Sequence, residues 1–149
     1  MKVLIICDSN YGNTMLIAKE IAKNIDNDAK VVTVKEFSGS DLKGIDLLIF
    51  GSPIVGWRPT ETATKLLNSL AGKLPKELKF STFDTRVKLF IHGDAKEKIA
   101  NMLRDAGAKQ IFEPQAFYVK GKTGPLFEGE LKKAASWAKL IKSKMKQSV

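Results

Sequence analysis

The sequence predicts an α/β domain built on a doubly wound, five-stranded parallel sheet of strand order 2-1-3-4-5. Three observations predict it. Short apolar runs rich in β-branched residues alternate with stretches of helical period along the whole chain. The runs KVLIICD and DLLIFG are continuously apolar rather than alternating, as strands covered on both faces are. No internal repeat, low-complexity stretch or linker divides the 149 residues, so residues 1–149 are read as a single domain. Strand–helix alternation of this kind implies right-handed crossovers, which place helices on both faces of the sheet.

The elements follow in order. Lys2–Asp8 is the first strand. From Asn13 to Ile25, Leu16/Ile17, Ile21 and Ile25, with Ala18 and Ala22, make one stripe of a helix. Ala29–Phe37 sets Val31, Val32 and Val34 among lysines and reads as a strand nearer an edge. The link SGSDLKGI has space for about one helical turn. Asp46–Gly51 is a buried strand. Pro53 and Pro59 bracket a loop, and Thr60 or Thr62 caps a helix through Ala63, Leu66, Leu67 and Leu70. Leu78–Thr85 is the fourth strand, which Val87–Ile91 continues or leaves for a loop. Asp94 to Glu97 (DAKE) has the form of a capping box before Ile99, Met102, Leu103 and Ala106, with Gly107 as the stop. Ala116–Lys120 is the fifth strand. Leu131, Ala134, Ala135, Ala138, Ile141 and Met145 stripe the last helix, and Trp137 beside them packs on the sheet.

Composition narrows the setting. One cysteine, Cys7, rules out a disulfide within the chain and favours a reducing, cytoplasmic location. The first strand begins at Lys2, which leaves no room for a signal peptide, and no apolar run approaches the roughly 20 residues of a membrane span. The net charge of +9 favours acidic partners: an acidic protein, a nucleic acid or an anionic membrane surface. No aromatic–basic module supports nucleic acid. The densest basic group, Lys132, Lys133, Lys139, Lys142, Lys144 and Lys146, reads as the solvated face of the last helix and a tail.

In such a sheet, ligands bind beyond the carboxyl ends of the strands where the order reverses. Here that point lies between the first and third strands, and its loops are CDSNYGNT (7–14) and GSPIVGWRPT (51–60). The first turn of the helix that follows Gly12 offers unpartnered N–H groups and a partial positive charge. A phosphate fits that end without a cation. Ser9 and Thr14 add hydroxyls, Asn13 an amide, and Gly12 a close backbone approach. The loop lacks the Gly-Lys-Ser/Thr ending of a Walker loop and the spaced glycines of a dinucleotide fingerprint. The plainer alternative is a strand–helix turn with a Thr cap. Trp57, at the mouth of the same point, suits a flat aromatic ligand; its alternative is a core or interface residue.

SNYGNT (9–14), with Ala18 and Ile21 at the expected spacing, resembles the flavodoxin phosphate-loop signature, and GSPIVGW resembles the flavodoxin loop that covers one flavin face. The resemblance runs over nearly the whole chain. FDTR (83–86) and GPLFEGELKKAASWA (124–138) are similar to a subgroup of short, single-domain flavodoxin-like proteins. It implies a flavodoxin-like fold and a non-covalent FMN. Ser9, Asn10, Tyr11, Gly12, Asn13 and Thr14 would take the phosphate. Ser52, Pro53, Ile54, Val55, Gly56 and Trp57 would border the isoalloxazine. The loop from Asp84 through about Gly93, with Asp84, Thr85, Arg86, His92 and Gly93, would approach its other face or edge. No catalytic side chain and no metal are implied. The implied function is diffusible electron transfer to redox partner proteins. The alternatives are an FMN-dependent oxidoreductase acting on a quinone or other small substrate and, less favoured, a flavin-free binding module. A receiver domain is set aside, because Gly51 and Ser52 stand where it needs Asp.

The chain departs from the family pattern at three places. Cys7 replaces the aromatic two positions before Ser9 and reads as a packed core residue. The loop after the fourth strand lacks the Tyr that stacks on the flavin in electron carriers; Phe90 is a candidate substitute and Phe83 reads as core. The charge of +9 replaces the usual acidity. Basic surroundings favour an anionic reduced flavin, so a less reducing second electron is expected, with docking on acidic partners at rates that fall as salt rises. Arg58 and Arg86 are read as charges flanking the mouth, Asp84 as a loop-orienting side chain, and His92 as a loop residue or a flavin contact.

Overall fold

Val3–Cys7 is buried along its whole length, and the sheet is built outward from it. The computed structural model describes residues 1–89 and 93–148. The elements are β1 (Val3–Cys7), α1 (Asn13–Ile25), β2 (Lys30–Thr33), a 3-10 turn (Gly39–Leu42), β3 (Leu47–Val55), β4 (Arg58–Pro59), α2 (Glu61–Ser69), β5 (Lys79–Val87), α3 (Lys96–Asp105), β6 (Lys109–Gln110), β7 (Gln115–Val119) and α4 (Glu130–Gln147). β2 and β3 flank β1 in parallel, β5 lies beside β3, and both β6 and β7 pair with β5. This is the expected 2-1-3-4-5 order, with seven strands among the described residues in place of five.

Each of the two extra strands has a local cause. The last strand breaks into β6 and β7 around Pro114, which has no N–H for the ladder. The carbonyls freed there are met by side chains: Ser81 Oγ donates to Phe112 O at 3.0 Å, and the Trp137 indole donates to Glu113 O at 3.0 Å. The PIVGWRP segment, expected as a loop, is a hairpin instead. β3 runs on to Val55, turns at Gly56 and Trp57, and returns as β4, pairing Val55 with Arg58 and Ile54 with Pro59. β2 ends at Thr33, short of the expected Phe37, because Thr33 O accepts the N–H groups of Glu36 and Phe37 in a turn.

Alternation along the strands divides the core into two layers. Val3, Ile5, Cys7, Leu47, Ile49, Phe83 and Phe117 pack under α1 and α4 through Ile17, Ile21, Ala134, Trp137 and Ile141. Leu4, Ile6, Leu48, Phe50 and Phe80 pack under α2 and α3 through Ala63, Leu67, Ile99 and Leu103. Leu16 and Leu131, expected in the helical stripes, are exposed. In α4 the stripe is rotated because Glu130 takes the inward position and accepts the Tyr118 N–H at 2.6 Å. Thr60 rather than Thr62 caps α2, accepting from Ala63 N. Asp94 accepts the N–H groups of Glu97 and Lys98 at the start of α3; the return contact of a capping box is replaced by Asp94 N donating to Trp57 O. Among the described residues no helix is long and apolar enough to cross a membrane.

Cys7 lies in the core as the sequence suggested, and burial, seconded by the charges of Asp8 and Glu36, pushes its thiol up to about 12. Phe83, Phe117 and Trp137 meet edge to face at 5.9–6.2 Å between centroids. Gly51 makes space for that trio, since a Cβ there would fall 2.2 Å from the Phe83 ring. Gly51→Ala is therefore expected to cost about 1–3 kcal/mol in denaturant unfolding, with the slope unchanged.

Candidate functional site

The carboxyl ends of β1, β3, β5 and β7 open on one cleft of about 590 Å³, within the range of small-molecule sites. Its floor begins where β1 ends. Asp8 leaves the strand and anchors both sides of the reversal: it accepts Ser9 N at 3.0 Å and the hydroxyls of Thr60, at 2.6 Å, and Thr62. Ser9 Oγ then accepts from Gly12 N at 3.0 Å and from Met15 N at 3.4 Å, drawing the loop into a closed turn. Gly12 precedes α1 at φ +90°, a conformation that favours glycine.

The N–H groups of Asn10, Tyr11, Asn13 and Thr14 have no protein acceptor among the described residues. The same four residues line the cleft, while Ser9 and Gly12 shape the turn from outside the lining. Two side chains expected to face a phosphate are engaged elsewhere. Asn13 Nδ2 donates to Thr123 O at 3.2 Å, and Thr14 Oγ1 shares a buried 2.9 Å hydrogen bond with Thr85 Oγ1. No side chain caps α1, so the Thr-cap alternative does not hold.

The second wall is the β3–β4 hairpin. Gly56 (φ +59°) and Trp57 (φ +72°) form its two-residue turn, both in the left-handed region. For Trp57 that conformation is strained and has to be held in place. Its carbonyl accepts from Asp94 N at 3.0 Å and from Lys98 Nζ at 3.2 Å. Gly93 sits so close that a Cβ on it would fall 2.1 Å from the Trp57 backbone. The indole is left 57% exposed, neither core nor covered. Pro53, Ile54, Val55, Gly56 and Trp57 line the cleft; Ser52 does not, because its buried hydroxyl accepts from Thr60 N and donates to Pro53 O.

Behind that turn stands a buried charge cluster. Arg86 donates to Asp84 through Nε at 2.9 Å and Nη2 at 2.5 Å, and to Asp94 through Nη2 at 3.0 Å. Asp84 also accepts the N–H groups of Ala95 and Lys96. Burial alone would lower the Arg86 pKa, but the two carboxylates outweigh it and hold it above the usual arginine value. Burial would likewise raise Asp94; Arg86, Lys96 and the N–H groups of Glu97 and Lys98 outweigh it and hold the carboxyl below its usual range. Arg86, expected as a charge at the mouth, is thus matched by two carboxylates. Asp84 does not line the cleft but orients the loop, while Thr85, Arg86 and Gly93 do line it. Arg58 is exposed beside Trp57 and lies outside the lining. His92 and Phe90 lie outside the described residues.

A flavodoxin-domain family model matches residues 4–147. The chain belongs to the flavodoxin family. Membership implies a flavin cofactor and electron transport. Among solved structures, this flavodoxin is similar to a flavodoxin from the domain Archaea, with TM-score 0.80, 19% identity, and coverage of 98% of this chain and 99% of that one. It is also similar to oxidised flavodoxin 1 from Bacillus cereus, with TM-score 0.80, 17% identity, and coverage of 100% and 99%. Rubredoxin oxygen:oxidoreductase from Desulfovibrio gigas matches with TM-score 0.81 and 19% identity, over 98% of this chain and 36% of that longer one. These likenesses show the fold. The comparison with curated proteins found no match.

Val87 and Leu89, inside the loop expected to approach the ligand, line the cleft, whereas two other lining residues, Val119 and Lys122, escaped the sequence reading. Val119 is the last residue of β7, a position that only the strand's end reveals. Lys122 brings a cation to the cleft lining, where the Ser9–Thr14 loop has none, and its neighbour Thr123 is tied to Asn13, 110 positions away, by a hydrogen bond.

Two outcomes are expected. Gly93→Ala should displace the Trp57 turn, shifting one indole N–H resonance while that of Trp137 stays in place. The depressed Asp94 pKa gives stability that is complete above the unfolded value of about 3.9 and is lost as pH falls through the lower folded value. In thermal unfolding below about pH 4, Asp94→Asn should therefore show a shallower loss of stability than the parent.

Proposed function

We propose that the chain binds FMN non-covalently in this cleft and works as a diffusible electron-transfer protein. The observation that carries the reading is a set of uncommitted N–H groups at the start of α1 sharing one cleft with an exposed indole. The residues fit the group. The N–H groups of Asn10, Tyr11, Asn13 and Thr14 would hold the phosphate, with Lys122 as the cation. Trp57 would border the ring system, and Val87, Leu89 and Val119 would exclude water from it. Bound FMN supplies one- and two-electron chemistry; the protein supplies position and electrostatics.

Electron carriage is the reading that family membership supports. Among the described lining residues the ionisable ones are Tyr11, Arg86 and Lys122. None is a carboxylate or thiol, and Arg86 is already matched by Asp84 and Asp94. With a net charge of +9, the partner is a protein with an acidic docking face.

An absorption spectrum of the purified protein, before and after FMN is added and the excess removed, is the direct test. Stoichiometric flavin bands are expected; failure to retain any flavin would overturn the reading. Trp57→Ala should weaken FMN by roughly tenfold in a flavin-fluorescence titration, the size of one stacked aromatic contact. The second one-electron potential should lie above that of an acidic flavodoxin titrated alongside, with a gap that narrows in high salt.

A further inference from the structure

Two sets of lysines differ in their surroundings. Lys142 and Lys146, in the dense C-terminal group, lie at the far end of the sheet beside Asp26, Asp46 and Glu77. A second group adjoins the cleft. Lys88 Nζ lies 5.7 Å from the ring centroids of both Tyr118 and Phe127, Lys120 Nζ lies 5.9 Å from Phe127, and Lys133 Nζ lies 4.8 Å from Tyr118 and 5.2 Å from Phe117. The shared rings make these lysines one patch. Its edge is the cleft itself: Val87 and Leu89 flank Lys88, Val119 precedes Lys120, and all three apolar residues line the cleft together with Lys122.

Three properties suit this patch to docking. Its ammonium groups are held over aromatic faces, an attraction of about 0.5–1 kcal/mol at exposed sites, so fewer rotamers are lost when a partner binds. Most of its charge is uncompensated: Glu130 pairs with Lys133 at 2.9 Å, but among the described residues no carboxylate lies within salt-bridge distance of Lys88, Lys120 or Lys122. Leu89, 62% exposed, gives it an apolar anchor at the cleft. Nucleic acid fits less well, because Tyr118 and Phe127 are half-buried and already carry lysines against their rings.

We propose that the partner protein docks on this patch, formed by Lys88, Leu89, Lys120, Lys122 and Lys133, through a carboxylate-rich face. The proposal rests on the electron-transfer reading for its purpose, but the surface is tested without it. The probe is an acidic [2Fe–2S] ferredoxin, whose paramagnetic cluster broadens nearby amide signals of the ¹⁵N-labelled full chain at low ionic strength. Broadening is expected at 87–89, 118–122 and 127–133. Lys88→Glu with Lys120→Glu should weaken binding about tenfold. Lys139→Glu with Lys144→Glu, the same change in net charge on α4, should weaken it less than about threefold. Retained spectral dispersion checks that both variants fold.

Broadening centred on 139–146, equal loss in both variants, or no broadening at all would overturn the proposal. So would tighter binding of oligo(dT) than of ferredoxin to the same amides. Loss of FMN appears in the absorption spectrum and leaves the broadening map interpretable, so the two readings fail separately.

Discussion

A carboxylate with no water around it has to be met by the protein, and the rim of the cleft is organised by how Asp84 is met. Asp84 is fully buried in the carboxyl-terminal half of β5. It takes two donors from Arg86 and two backbone N–H groups from the start of α3. Arg86, so drawn inward, also holds Asp94. Asp94 caps α3 with its side chain and donates its own N–H to Trp57. A strand end, a helix start and a strained turn are thereby joined through a few charged contacts. Such clusters add little net stability over an apolar replacement, but removing one member leaves an unpaired buried charge, at a cost of about 3–5 kcal/mol. Their contribution here is placement: the Trp57 indole is held open at the cleft.

What could be read from the sequence follows from physics that acts locally. The α1 boundaries, Asn13 and Ile25, coincide with the amphipathic stripe, because burial of that stripe is what makes the helix. The strand order follows from alternation and crossover handedness. The β3–β4 hairpin was not visible, since Gly56 and Trp57 lack the Asn-Gly or Asp-Gly signature of such turns, and Trp57 takes positive φ only because Gly93 and Asp94 hold it. The inward position of Glu130, in place of Leu131, likewise depends on a tertiary partner, the Tyr118 N–H.

The site was legible in its local half. The loop from Ser9 to Thr14 and the hairpin from Pro53 to Trp57 are contiguous segments with recognisable residues. The segment from Asp84 to Gly93 was placed there too, but the cleft's other contributors, Val119 at the end of β7 and Lys122, are marked by no local pattern. Net charge behaved similarly. The total of +9 was plain, yet Lys142 and Lys146 of the densest lysine group lie at the far end of the sheet, whereas Lys133 of that group joins Lys88, Lys120 and Lys122 beside the cleft. A sum of charges constrains partners only after the fold has sorted them.

The burial of Cys7 has a practical side. Its thiol stays protonated throughout the physiological range and is closed off by the core, so oxidants and alkylating reagents find no thiolate to attack. The family's chemistry moves electrons, and a thiol accessible to that chemistry would be a route to sulfenic acid or to cross-linking between chains. This chain carries none. A cysteine introduced anywhere on its surface would be its single reactive thiol, which makes the native sequence a ready background for site-specific spin labels or electrode attachment.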